Sequence, residues 1–181
     1  MVAGQTYVIP TVHARVGERL YLHGALASRT LRTAALAAPL CVTVTLLDGL
    51  VLARSAFNHS MNYRSVLILA TGSELTDAAE KRAALQALVE RVVPGRAAQV
   101  RPPSAKELEA TAVVSVPIEE ASAKIRSGPP QDAAEDYALN CWAGVLPLRL
   151  AAGAPQPDPR LRATVPAPVL PERGTPEPGR S

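Results

Sequence analysis

The sequence predicts an α+β fold, a mostly antiparallel sheet that rolls up or closes into a barrel and carries its helices at one side. Three observations point there. Runs rich in β-branched residues outnumber helical stretches, turn signals separate consecutive strand runs at hairpin distance, and the helical patterns are inserted between strands instead of alternating with them one for one. The 181 residues, 48% apolar and 19% charged, suit a single domain with a real core. That domain is expected over residues 1–150. Residues 151–181, with prolines at 155, 157, 159, 166, 168, 171, 176 and 178, are expected to form an extended or disordered tail outside the core.

Each element has its own warrant. Gln5 to Val16 and Arg19 to His23 read as two strands broken by Val16-Gly17-Glu18, a hairpin. Ala27 to Ala38 reads as a helix of about three turns, capped by Ser28 and stopped by Pro39. Cys41 to Leu47, Leu50 to Phe57 and Tyr63 to Ala70 read as three strands, the first two joined by Asp48-Gly49, a dipeptide that signals a tight hairpin. Leu75 to Val93 places Leu85, Leu88, Val89, Val92 and Val93 on one side of an amphipathic helix that Pro94-Gly95 ends. Ser104 with Glu107 three residues on has the form of a capping box for a short helix to Thr111. Ala112 to Ile118 and Trp142 to Leu150 complete the strands, with a polar segment containing Gly128-Pro129-Pro130 between them.

Composition removes several function classes. One Phe, one Trp and four Tyr are too few for a base-stacking surface, and a net charge of +3 is too small for a phosphate-polymer binder. Cys41 and Cys141 stand far apart with no CxxC or Cys/His cluster, so neither zinc nor a disulfide framework is expected, and both thiols default to buried and inert. The apolar stretch 34–47 is interrupted by Pro39, Thr43 and Thr45 and falls short of the roughly 20 residues of a spanning helix. No basic segment precedes an apolar one at Met1, so a cytoplasmic protein without nucleic-acid or membrane partners is expected.

Four segments exceed what a plain barrel requires. Tyr21 to Arg29 ends a strand, turns at Gly24 and starts a helix with a hydroxyl and a guanidinium, a combination suited to an anion but more commonly an ordinary cap with a solvated Arg. Asn58 to Val66 crowds donors at a strand entrance, and could equally be a solvated loop. Lys124 and Arg126 precede Gly128-Pro129-Pro130, a weak signal alone. Trp142, the lone Trp, opens a strand where core, interface and ligand roles are all open to it. Catalytic triads, paired carboxylates, a dinucleotide fingerprint and a P-loop are missing from the sequence. Beyond His59 and Tyr63 it offers no convincing acid or base.

Taken in order, Tyr7-Val-Ile-Pro-Thr11, Leu20-Tyr-Leu-His-Gly24 with Ser28-Arg29, Val42 to Phe57, His59-Ser-Met-Asn-Tyr-Arg-Ser-Val66, Ala121-Ser-Ala-Lys124 and Trp142-Ala-Gly-Val-Leu-Pro-Leu148 resemble the pyridoxamine 5'-phosphate oxidase-related, flavin-nucleotide-binding family, in its nitroimidazole-resistance-like branch. The resemblance runs over about residues 5 to 150. It implies an FMN-binding split β-barrel and a homodimer with FMN in clefts between the subunits. By position it implies that Val8, Ile9, Pro10 and Thr11 line the flavin ring and that His23, Ser28 and Arg29 hold the phosphate. Tyr63, Arg64 and Ser65 would face the flavin, and Lys124 and Trp142 would approach it from the partner. It further implies an N-terminal helix and first strand ahead of Tyr7, where this sequence has Met1 to Thr6, so an unpaired sheet edge and weakened flavin binding are expected. The function implied is a flavin-dependent oxidoreductase acting on a small-molecule substrate. The alternatives are a flavin-binding or storage module without turnover, a deazaflavin- or haem-binding relative, or a dimer that has lost its cofactor.

Overall fold

The computed structural model describes residues 7–161 and 165–168; the expectations placed on Met1 to Thr6 and on Pro171, Pro176 and Pro178 lie outside them. Seven strands form one antiparallel sheet: β1 (His13–Val16), β2 (Arg19–Ala25), β3 (Leu36–Leu52), β4 (Ser60–Glu74), β5 (Thr111–Pro117), β6 (Glu120–Arg126) and β7 (Gly144–Pro147). Three helices accompany them: α1 (Arg29–Ala35), α2 (Ala78–Val92) and α3 (Ala105–Ala110). The strand order is β1-β2-β5-β4-β3-β7, with β6 also paired to β4. Strand β4 is therefore shared. One edge runs along β3, while the other pairs with β6 from Tyr63 to Leu69 and with β5 at Ser73 and Glu74, which splits the barrel.

The first hairpin forms as expected in its second half, with Val16 paired to Arg19 across Gly17, whose φ of 57° suits the glycine position of a type II′ turn. Residues 7–12 carry no strand. Ser28 caps α1 by accepting from the Leu31 N–H. The helix ends at Ala35, short of Pro39, which lies inside β3 beside a register shift, a place where a missing N–H costs the sheet little.

Strand β3 corrects the hairpin expected at Asp48-Gly49. It runs unbroken through that dipeptide, with a bulge between Leu47 and Gly49. Gly49 is buried because β7 crosses it closely: a Cβ there would stand 2.9 Å from Val145 Cγ1 and 3.1 Å from the Leu146 carbonyl. Strand β6 is a second correction. The segment expected to be a polar connection is a strand open to solvent at six of its seven residues, so it has no apolar alternation to reveal it.

The core joins Leu20 and Leu22 of β2, Leu31 and Ala34 of α1, Ile68 of β4 and Ala112, Val114 and Val116 of β5. Burying each large aliphatic is worth about 1.5–3 kcal/mol. Asp77 caps α2 through the Ala79 and Glu80 N–H groups, and the helix buries Lys81, Ala84 and Leu88. Lys81 Nζ donates to the Leu108 carbonyl at 2.6 Å, tying α2 to the last turn of α3. The expected capping box is present, Ser104 and Glu107 each accepting the other's N–H. Cys41 and Cys141 are both exposed, contrary to the expectation of buried thiols. No helix among the described residues is long and apolar enough to cross a membrane.

Candidate functional site

Strand pairing brings two of the sequence-selected segments together. Thr45, Ser65 and Lys124 are register partners across β3, β4 and β6, so their side chains share one face. Thr45 Oγ1 and Ser65 Oγ are hydrogen-bonded at 2.8 Å. The adjacent row on that face joins Leu47, Tyr63 and Arg126. Arg64, between Tyr63 and Ser65, turns to the other face as strand alternation requires. Its Nε and one terminal nitrogen donate to the two Asp48 oxygens at 2.9 and 2.8 Å. Those donations hold the Asp48 pKa below the ordinary carboxylate range and raise that of Arg64.

A second cluster forms at the start of α1. Arg29 donates to the Tyr7 hydroxyl at 3.0 Å and lies over the Tyr7 ring at 5.3 Å, beside the Ser28 cap. Val8 is 92% exposed, and Val8 to Thr11 form no ladder. His23 stands apart from this cluster. The neighbouring residue Gly24 faces α1, where a Cβ would approach Leu31 Cδ1 to 2.7 Å, so His23 points the opposite way.

That direction leads into a cavity of about 660 Å³ beneath α2 and α3, with Leu85, Leu88, Val89 and Val92 on one wall and Arg82, Arg101 and Glu107 among its polar lining. Arg101 is held by Glu107 through two hydrogen bonds of 2.7 and 2.6 Å, which push the Glu107 pKa far below the ordinary range. Arg82 makes no ion pair among the described residues.

The β3–β4 connection holds His59 and is organised by a residue that no local sequence pattern singles out. Asp132, its carboxylate shielded from solvent, accepts from the Arg54 and Ser55 N–H groups, the Arg54 guanidinium and, at 3.5 Å, the Asn58 amide. Burial favours its neutral form, but the donated hydrogen bonds outweigh that and its pKa lies below the ordinary value. The Ser55 carbonyl in turn meets His59 Nδ1 at 3.0 Å. Trp142 is 63% exposed and lies against Gly144, just before β7, which pairs with β3 at Gly49 to Leu52, away from the Thr45 row. Among the described residues no three His, Cys, Asp or Glu side chains cluster at metal-binding distance.

A single antiparallel sheet, split where β4 is shared between β5 and β6 and flanked by short helices, defines the split-barrel class of α+β proteins. The model of the pyridoxamine 5'-phosphate oxidase family matches residues 1–125, and the chain belongs to that family. Two solved structures resemble it strongly. The flavocytochrome Anf3 from Azotobacter vinelandii is 46% identical, with a TM-score of 0.85 over 93% of this chain and 78% of that one. The FAD and haem binding protein from Mycobacterium smegmatis is 40% identical, with a TM-score of 0.88 over 93% of this chain and 82% of that one. A protein described as a 5-nitroimidazole antibiotic resistance protein from Bacteroides thetaiotaomicron shares the fold at 21% identity, with a TM-score of 0.56 over 67% of this chain and 70% of that one. Comparison with curated proteins found no match.

Proposed function

We propose that the chain binds a flavin nucleotide, FMN, on the solvent-facing side of β3, β4 and β6, and serves as an oxidoreductase for a small molecule. The observation that carries this reading is the polar row Thr45, Ser65 and Lys124 beside Tyr63, flanked on the same face by exposed Leu47 and Leu67. Apolar surface for a flat ring and a few convergent donors is the usual make-up of a cofactor site. When bound, a flavin supplies hydride and one-electron chemistry of its own. The chain's residues supply placement and charge. Lys124 offers a cation and Ser65 a hydroxyl donor at the sheet face, while Ser28 and Arg29, at the start of α1 on the opposite face of β4 where Ile68 packs, offer a hydroxyl and a bidentate fork suited to the phosphate of a flavin held by the second copy.

The same sheet region supports a homodimer. Leu47 on one face and Leu46 and Ile125 on the other are each about half exposed or more, with Ile125 at 68%, so β3, β4 and β6 project as a blade with apolar side chains on both sides. Exposed apolar surface shared across several strands marks an interaction site. A second copy over the blade would enclose a flavin that one chain leaves open to water. The test is titration of FMN and FAD, followed by flavin fluorescence, against the wild type and Lys124→Ala. Saturable quenching that weakens in the variant supports the reading, and a chain that quenches neither flavin overturns it.

A second cofactor, haem, is favoured by the apolar cavity under α2 and α3. Two relatives at 46% and 40% identity are described as a flavocytochrome and as a FAD and haem binding protein. The cavity's volume of about 660 Å³ falls within the range of small-molecule sites, roughly 300–1,000 Å³. It also contains a nitrogen donor that iron can use.

A further inference from the structure

Helix α2 leaves part of its apolar stripe unspent. Ala84 and Leu88 are buried, Leu88 also forming part of the cavity wall, but Leu85, Val89 and Val92 line the cavity with less cover, and Val92 remains 54% exposed. An amphipathic helix normally buries such a stripe against its own protein. Here the stripe faces open space, and across that space β2 presents His23.

Among the described residues His23 differs from the other two histidines. Neither of its ring nitrogens has a hydrogen-bond partner, and it lines the cavity. His59 is on an exposed connection with Nδ1 engaged by the Ser55 carbonyl, and does not line this cavity. His13 likewise does not line it, and burial together with the Arg91 charge lowers its pKa. Arg82, also in the lining, has no carboxylate partner among the described residues, whereas Arg101 is already satisfied by Glu107. An apolar box with one free imidazole and one free guanidinium matches a flat macrocycle that carries a metal at its centre and carboxylates at its edge.

We propose that His23 ligates the iron of a haem seated in this cavity, with Arg82 paired to a propionate. The proposal rests on the haem reading above, and it separates this site from the flavin face, which His23 does not share.

The test is a titration of the purified full chain with haemin, read by the Soret band and by haem content per chain. The wild type should take up one haem per chain, and its ferrous form should show an iron–histidine stretch in resonance Raman spectra. His23→Ala should bind haemin at least tenfold more weakly with a shifted Soret band, and added imidazole should restore the wild-type spectrum. Iron-free protoporphyrin IX should bind the wild type more weakly than haemin. His59→Ala should leave the spectrum unchanged. Far-UV circular dichroism establishes that the variants fold, and the Raman measurement needs no variant at all. A wild type that takes up no haem overturns the haem reading and the ligand together. A wild type that binds haem, but gives no iron–histidine stretch or shares its Soret band with His23→Ala, overturns the ligand alone. Loss of the spectrum in His59→Ala would move the iron to the β3–β4 connection and also overturn the assignment.

Discussion

Asp132 does for the β3–β4 connection what a cap does for a helix: it gathers the N–H groups of Arg54 and Ser55, which no strand partner satisfies. Its folded-state pKa lies below the unfolded value, so its contribution to stability is fully present above about pH 4 and is lost as pH falls through the folded pKa. Asp132→Asn should lower the urea midpoint at pH 7 and flatten the loss of stability on acidification below about pH 4, both read from denaturation curves. On the flavin reading, Arg29→Ala should weaken FMN about ten- to a hundredfold and leave riboflavin, which lacks the phosphate, nearly unchanged; a charged hydrogen bond is worth about 1.5–3 kcal/mol. Isothermal titration with both ligands checks this. Residue-level legibility was uneven. The Ser28 cap and the Ser104–Glu107 box follow from local chemistry, and the structure reproduces them. The direction of His23 depends on strand alternation against Gly24, which chain proximity to Ser28 and Arg29 conceals. Asp132 has no local pattern at all, because its partners lie 74 to 78 positions away.

Elements were legible wherever one face is apolar and the other polar. Helix α2 belongs to that group, and strand β5, buried on both faces, was legible instead as a continuous run of small and β-branched residues. Strand β6 was invisible because it is exposed along nearly its whole length, and a strand without burial has no alternation to read. The Asp48-Gly49 signal failed for a different reason: tertiary pairing with Asn62 on one side and Pro147 on the other pulls the dipeptide into a continuous strand. The same crowding makes Gly72 of β4 a sensitive position. A Cβ there would stand 2.7 Å from Val114 Cγ1 and 3.0 Å from the Ala34 carbonyl, wedging apart β5 and α1. Gly72→Ala should therefore destabilise the chain by about 1–3 kcal/mol, measured by chemical denaturation. Ser104→Ala, which removes only one half of the α3 capping box, should cost about 1 kcal/mol by the same measurement.

The whole molecule divides into a packed half, where β2, β5, α1 and the end of β4 share the core, and a blade of β3, β4 and β6 that one chain leaves uncovered. The split-barrel class was legible from strand order and from the family resemblance, whereas the division between halves was not, since Leu46 and Leu67 read as ordinary core residues in a sequence and Ile125 falls in a stretch that reads as a polar connection. On the homodimer reading, Ile125→Lys should place a charge at an aliphatic of β6 that is 68% exposed, give a monomer in analytical ultracentrifugation and release flavin. The blade also changes what kind of quantity stability is. Where a second copy shields those side chains, unfolding becomes a second-order equilibrium, so each tenfold dilution removes about 1.4 kcal/mol from the assembled state and lowers the melting temperature. Ile125→Lys, already alone, should melt at one temperature whatever its concentration.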